Sequence, residues 1–229
     1  MTKLFDDNAY LKEFKSKITG IIKEDNRIAI ISVDPTSPFN GGAILGDRIR
    51  MKDICELDNV YMRSLGSRGS TGGLSETIDE VIILLEAAGF DRLIIETVGV
   101  GQVELDVIQA SDTVVVVLVP ESGDDIQMMK AGLMEIGDIF IINKSDRSGS
   151  SKLKTAMQQI FSLKPNDSLW QNKIIKTSAI NSKGINSLVD LINDFYDYYS
   201  SSGLKQAAFK NRYQQQIGEI IKRDYQKIF

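Results

Sequence analysis

The residues most suggestive of chemistry stand at positions 143–146, directly after the apolar run Ile139–Ile142. The carboxylate of Asp146 could accept two adjacent hydrogen bonds, which matches the N1–H and 2-amino donors of guanine and mismatches adenine. The stem of Lys144 would cover one face of the base, and Asn143 would tie neighbouring loops together. The pattern Asn-Lys-Ser-Asp therefore predicts a guanine-binding turn, with an ordinary solvated turn as the alternative interpretation.

A second polar segment, Thr177-Ser178-Ala179, ends the next predicted strand along the chain. Backbone N–H groups of Ser178 and Ala179 would donate there to the carbonyl of a guanine base. The tripeptide carries no information by itself. Its position, after a further helix and strand, supports the guanine interpretation of the turn that begins at Asn143.

Acidic residues at other predicted strand ends indicate a metal site built from oxygen ligands. Asp34 and Glu96 each close a short apolar run, and Asp47 follows in a glycine-containing loop. Three carboxylates form a donor set that suits Mg²⁺. Gly99 would allow a backbone N–H to approach a terminal phosphate closely. The alternative is that these acidic side chains are simply solvated.

Apolar runs alternate with amphipathic segments, and these elements must position the polar residues. The predicted strands are Arg27–Val33, Leu93–Ile95, Val114–Val119, Ile139–Ile142 and Ile174–Ile175. The predicted helices cover residues 9–24, 75–88, 153–161, 185–199 and 204–229. This order predicts an α/β fold with a mostly parallel sheet covered by helices on both faces. Ligands of such sheets bind at the carboxyl ends of the strands, where the polar residues lie.

The chain is expected to divide into an α/β domain over residues 1–199 and a helical tail over residues 200–229. Ser200 to Gly203 is interpreted as a linker. The tail has a sparse apolar stripe, which suits a partner surface or a dimerisation arm: Tyr213, Ile217, Ile220 and Ile221.

Composition argues against several other classes of protein. The net charge of −4 argues against a nucleic-acid partner, and the absence of histidine removes imidazole catalysis and imidazole metal ligands. A single cysteine, Cys55, fits a reducing, cytoplasmic location. The N-terminal residues do not resemble a signal peptide, and no apolar run is long enough to cross a membrane.

Four longer runs resemble the MeaB/ArgK GTPases, a family in the SIMIBI class of P-loop proteins. The matching runs are residues 33–35, 41–48, 86–91 and 96–102, the last with the sequence Glu-Thr-Val-Gly-Val-Gly-Gln. The resemblance covers roughly residues 10–200 and implies a P-loop NTPase-like fold. It also implies a homodimeric GTPase that binds GTP or GDP with Mg²⁺. The implied role is that of a chaperone for an adenosylcobalamin-dependent acyl-CoA mutase such as methylmalonyl-CoA mutase.

The resemblance assigns roles to the residues already singled out. Segment 121–130 matches a mobile loop through which the family communicates with the mutase. The residues expected in the site fall into three groups: catalytic Glu96 and Gly99; nucleotide-binding Asn143, Lys144, Asp146, Ser178 and Ala179; and Mg²⁺-linked Asp34, Asp47 and Glu96.

One motif of the family, the phosphate-binding G-x-x-G-x-G-K-[ST], is not found where the spacing to Asp34 would place it. Residues 4–12 stand there and contain no glycine. We therefore expect an incomplete domain with its first strand and phosphate loop missing, and with open strand edges. The explanations are a fragment, a split protein, or a non-hydrolysing docking module descended from such a GTPase.

Overall fold

The computed structural model describes residues 26–34, 51, 54, 56–66, 73–97, 107–120, 133–163 and 170–226. Several sequence predictions lie outside these residues: the helix over 9–24, Asp47, Gly99 and the loop 121–130.

The described part of the chain contains six strands together with helices, and five of these strands correspond to strands predicted from the sequence. The strands are β1 (Ile28–Asp34), β2 (Val60–Gly66), β3 (Arg92–Thr97), β4 (Val115–Leu118), β5 (Ile139–Ile142) and β6 (Lys173–Lys176). The helices are α1 (Gly73–Ala87), α2 (Leu133–Ile136), α3 (Ser150–Ser162), α4 (Ile185–Ser201) and α5 (Leu204–Gln226).

Some of these elements differ from the sequence predictions; helix α2, for instance, was not predicted. Strand β2 was not predicted, because Arg63 and Ser64 interrupt its apolar pattern. The expected linker at 200–203 is shorter than predicted, because α4 continues to Ser201 and only a two-residue turn separates it from α5.

The described strands pair into two parallel, three-stranded sheets with the orders β2-β1-β3 and β4-β5-β6. In the first sheet Ser32 of β1 stands opposite Glu96 of β3, and Val33 stands opposite Thr97. Both β3 and β4 are therefore edge strands among the described strands. Val117 of β4 is 43% exposed although it lies in an apolar strand.

Strands β1 and β5 are the centres of the two sheets, and their apolar runs are buried on both faces. This is the usual consequence of helices covering both faces of a parallel sheet. One face of β1 packs on α1 and on residues 107–110, and its other face packs on Met51, Ile54 and Met62. The two faces of β5 pack on α3 and on α4.

Candidate functional site

The site begins where β4, β5 and β6 end, and backbone hydrogen bonds hold these three ends together. The N–H of Asn143 donates to the carbonyl of Leu118 at 2.8 Å, and the N–H of Thr177 donates to the carbonyl of Ile142 at 2.9 Å. The two polar segments predicted from the sequence are thus brought side by side at the carboxyl end of the sheet.

The side chain of Asn143 connects these segments from a completely buried position. Its Oδ1 accepts hydrogen bonds from Thr177 Oγ1 at 3.1 Å and from the backbone N–H of Ala179 at 3.3 Å. This is the loop-tying role expected for the residue. Its Nδ2 is also buried and has no acceptor among the described residues. Such an orphaned donor costs about 1–3 kcal/mol unless another segment or a bound molecule supplies an acceptor.

The turn after Asn143 is held in one conformation by three further features. Lys144 has a φ of 53°, in the left-handed region that is uncommon for residues other than glycine. The N–H of Ser145 donates to the carbonyl of Thr177 at 3.0 Å, and Ser150 Oγ donates to the carbonyl of Ser145 at 3.0 Å. The turn is therefore fastened both to β6 and to the start of α3.

Asp146 is exposed, and its carboxylate is held by the neighbouring strand end. Ser178 Oγ donates a short hydrogen bond to Asp146 Oδ1. This bond lowers the pKa of the Asp146 carboxyl, and the positive charges of Arg147 and Lys183 lower it further. Asp146 is consequently an ionised acceptor that faces solvent at neutral pH.

The turn that carries Ser178 and Ala179 is closed by a short bridge. Ser178 and Lys183 exchange two backbone hydrogen bonds of 3.0 Å each. Ser182 and Gly184 both have positive φ, 53° and 74°, which lets the chain reverse before α4 begins. The N–H groups of Ser178 and Ala179 therefore have acceptors within the protein. A base carbonyl would have to share the Ala179 N–H with Asn143.

One further residue joins this network without having been predicted. Asn181 Nδ2 donates to Ser178 Oγ at 2.8 Å. Its position on the turn after Ser178 gave no signal in the sequence, since the contact depends on how the turn folds.

The acidic residues of the predicted metal site lie at the carboxyl ends of the first sheet, as far as they are described. Asp34 ends β1, and Glu96 lies near the end of the adjacent strand β3. Adjacent parallel strands bring these two positions to the same edge of the sheet. Within the described ranges, no three side chains of the acidic, cysteine or histidine types form a cluster that could hold a metal ion.

The comparison with solved structures concerns the fold. HypB from Helicobacter pylori in complex with nickel matches with a TM-score of 0.54 and 18% identity, over 84% of each chain. The hydrogenase maturation factor HypB of Archaeoglobus fulgidus matches with a TM-score of 0.53 and 19% identity, over 82% of this chain and 83% of that one. The predicted fold class, α/β with parallel strands and P-loop NTPase-like, is confirmed.

Sequence relatives are considerably more similar. A Pyrococcus abyssi protein that is named as a GTPase is 42% identical over 202 residues, which are 87% of this chain and 62% of the relative. The Escherichia coli GTPase ArgK is 35% identical over 212 residues, 91% of this chain and 63% of its own length. A mitochondrial methylmalonic aciduria type A homolog of Caenorhabditis briggsae is 34% identical over 181 residues, covering 77% of this chain and 44% of that protein.

The chain thus spans a little under two thirds of the length of the Pyrococcus abyssi and Escherichia coli relatives, at 62% and 63%. The family described as methylmalonyl-CoA mutase-associated GTPase MeaB matches residues 13–228. The match includes every described residue of the candidate site, from Asp34 to Gly184. By this match and by the similarity to ArgK, the chain belongs to the MeaB family of methylmalonyl-CoA mutase-associated GTPases.

Proposed function

We propose that this protein binds guanine nucleotides at the carboxyl ends of β5 and β6 and acts as a GTPase of the mutase-chaperone kind. The observation that carries the proposal is the solvent-facing carboxylate of Asp146, held by Ser178 beside the buried link between Asn143 and Thr177. A fixed anionic acceptor with two oxygens matches the two adjacent donors of guanine.

The other residues of the turn complete the base site. Lys144 is half-buried, so its aliphatic stem can lie on one face of a base while the ammonium stays in water. The orphaned Nδ2 of Asn143 is a donor for an acceptor that a nucleotide or a further segment supplies. Ala179 contributes an N–H at the same edge.

The donor set at the ends of β1 and β3 fits Mg²⁺ by its chemistry, because carboxylate oxygens are the ligands this ion prefers. Asp34, Asp47 and Glu96 would hold the ion, which supplies positive charge against the phosphates of GTP. Glu96 and Gly99 would lie at the terminal phosphate, where hydrolysis takes place.

The partner proposed is an adenosylcobalamin-dependent acyl-CoA mutase such as methylmalonyl-CoA mutase, and family membership supports this choice. A cytoplasmic location is part of the proposal, and it is supported by the single cysteine, which suits a reducing compartment. In the described part of the chain, no helix is both long and apolar enough to traverse a bilayer.

A homodimer through α5 is part of the same proposal. A stripe of large apolar side chains along this helix is more than 40% exposed and includes Phe209, Tyr213, Ile217 and Ile221. The rings of Phe209 and Tyr213 stack with their centroids 6.1 Å apart, so the stripe is continuous over that turn. Sedimentation that shows only monomer at tens of micromolar, the usual regime for association tests, would contradict it.

The proposed function is tested by calorimetric titration with GDP in the presence of Mg²⁺, and with ADP as the comparison nucleotide. We expect selective binding of GDP. Asp146→Asn should weaken GDP binding by at least about tenfold, because the new amide NH2 cannot accept from the 2-amino group and the remaining acceptor loses its charge. The same variant should gain affinity for XDP, whose 2-oxo group accepts a hydrogen bond from the new amide.

Asp190→Asn is the matched control, since it makes the same chemical change on an exposed part of α4. It should leave both nucleotide affinities unchanged. An unaltered preference of the Asp146→Asn protein for GDP would show that this carboxylate does not contact the base.

A docking module without turnover is the second candidate. The observation that favours it is that residues 4–12 contain no glycine, and their lysine, Lys12, does not follow a glycine-rich turn. In a protein that lacked such a loop, the β- and γ-phosphates would lose their main ligands, and acceleration of hydrolysis would be lost with them. Release of phosphate from GTP above the rate in buffer alone would exclude this candidate.

A further inference from the structure

The starting point is the hydroxyl of Ser178, which takes part in two hydrogen bonds. Ser178 is buried, with 1% of its surface exposed. Its Oγ is bonded both to Asp146 Oδ1 and to Asn181 Nδ2, the latter at 2.8 Å. A hydroxyl has one proton to donate, whereas its lone pairs can accept from a second group.

The chemistry of the two neighbours decides the direction of these bonds. An amide Nδ2 can only donate, so Ser178 Oγ must accept from Asn181. The hydroxyl proton of Ser178 is therefore the one that forms the hydrogen bond to the carboxylate of Asp146. Ser178 Oγ thus accepts from Asn181 while its hydroxyl donates to the Asp146 carboxylate.

The backbone holds Asn181 in place for this task. Its N–H donates to the carbonyl of Ser178 at 3.1 Å, and the Ser178–Lys183 bridge closes the turn around it. The positive φ of Ser182 and of Gly184 allows this tight turn. The side chain of Asn181 is exposed, but its amide group is directed back to the strand end.

We propose that Asn181 is a positioning residue that sets guanine specificity by orienting Asp146 through the Ser178 hydroxyl. The inference rests on the proposed function of the same site. It adds a residue that would not touch the nucleotide and whose loss should change selectivity rather than overall affinity.

The test compares GDP with IDP, because inosine lacks the 2-amino group that distinguishes guanine. The ratio of the two dissociation constants therefore reports on the contact between Asp146 and that group, and changes common to both nucleotides cancel. In the wild-type protein we expect a clear preference for GDP. Asn181→Ala should reduce the GDP-to-IDP preference by about three- to tenfold, the range for a hydrogen bond that is weakened and not removed.

Asn181→Asp is the sharper variant, because it keeps the shape of the side chain and turns the donor into an acceptor. The Ser178 hydroxyl could then donate to residue 181 in place of Asp146, so the preference should fall at least as far as in Asn181→Ala. Asn211→Asp, which makes the same change on the exposed surface of α5, is the control and should keep the wild-type ratio.

A double-mutant cycle tests whether Asn181 acts on Asp146 through Ser178. Ser178→Ala should lower the preference as well, and adding Asn181→Ala to it should lower the ratio no further, since the two residues act in series. Circular dichroism on each variant shows whether it is folded.

The outcomes separate the two claims. If the wild-type protein does not distinguish GDP from IDP, the proposed guanine site is wrong and this inference falls with it. If the wild type prefers GDP and folded Asn181→Ala and Asn181→Asp proteins keep the full preference, the guanine site stands and the role of Asn181 is refuted. Additive losses of GDP preference in the double variant would likewise refute the claim that Asn181 acts through Ser178.

Discussion

Asn143 and Asp146 belong to the same turn but differ in burial and in their hydrogen-bond partners. Asn143 is fully buried and joined by two hydrogen bonds to the segment that follows β6, whereas Asp146 is exposed and its carboxylate accepts a hydrogen bond from Ser178. Changes at Asn143 should therefore damage the fold of the turn as well as binding. Changes at Asp146 should affect the ligand alone, which makes Asp146 the better position for testing function.

Gly184 lies at the end of the turn that carries Ser178 and Ala179, and the conformation of this turn depends on it. Its φ is 74°, and a Cβ built there would collide with the backbone carbonyl oxygen of Lys176. Gly184→Ala should combine the cost of a left-handed conformation, about 1–2 kcal/mol, with a backbone clash that cannot relax by a rotamer change. We expect a loss of about 3 kcal/mol or more in the free energy of unfolding, measured by urea denaturation.

Gly203→Ala provides the matched control for that measurement. Gly203 has a similar φ of 82°, but a Cβ there meets nothing within 4 Å. This variant should lose only about 1–2 kcal/mol, the conformational part. Equal urea midpoints for the two variants would show that the approach of Lys176 to Gly184 is unimportant.

Helix α5 is attached to the α/β body by contacts near its first half. Ala208 packs on the cluster between β5 and α4. Arg212 donates from Nη1 to the carbonyl of Ala110 at 2.8 Å and from Nη2 to Asp112 Oδ1 at 2.5 Å. The planar guanidinium thus bridges α5 to the segment that leads into β4, which a lysine could not do in the same geometry.

Arg212→Gln should loosen α5 without unfolding the body. The pair is partly exposed, at 26% and 38% for the two side chains, so its contribution is about 1 kcal/mol and no more. Amide hydrogen exchange along α5 should become about fivefold faster, while exchange in β1 and β5 stays the same. The exposed neighbour Lys210→Gln serves as the comparison, and equal exchange in both variants would argue against an anchoring role for Arg212.

Hydrogen bonds between segments away from the candidate site contribute to the stability of the whole molecule. Asp138, just before β5, accepts the N–H of Val114 at 2.8 Å with its carboxylate. Its backbone carbonyl accepts Trp170 Nε1 at 3.1 Å, and the indole packs on Phe195 and Tyr198. Burial raises the pKa of Asp138 from 3.8 to about 6, against the opposing effect of the hydrogen bond from Val114.

This raised pKa makes stability depend on pH in a defined direction. The folded protein binds the proton of Asp138 more tightly than the unfolded chain does. Its contribution is therefore fully present below about pH 4 and is lost as the pH rises through about 6. Asp138→Asn removes the ionisation, so the wild type should lose about 1–2 kcal/mol relative to this variant between pH 4 and 7, after allowance for solvent screening.

Urea unfolding of both proteins at several pH values across this window gives the measurement. Asp194→Asn, on the exposed surface of α4, should show no comparable trend. A constant difference between wild type and Asp138→Asn over the whole range would mean that Asp138 ionises with an ordinary pKa.

Much of this arrangement was predictable because it depends on local sequence patterns, such as apolar runs and the polar residues that follow them. The apolar runs of β1 and β5 predicted buried parallel strands, and both are buried on either face. The polar residues at 143–146 and 177–179 were predicted to lie together from their places at successive strand ends, and their hydrogen bonds confirm that they do. Roles in nucleotide binding and in Mg²⁺ binding remain predictions for the experiments described above.

Other features were decided only by the tertiary structure. Strand β2 forms because its backbone pairs with β1 at every residue from Val60 to Gly66, although its side-chain pattern is weak. The division into two three-stranded sheets, the orphaned Nδ2 of Asn143 and the bond from Asn181 to Ser178 likewise have no local signature. Hydrophobic periodicity fixes which face of an element is buried, whereas strand partners and hydrogen-bond acceptors come from segments distant in the chain, and only packing brings those together.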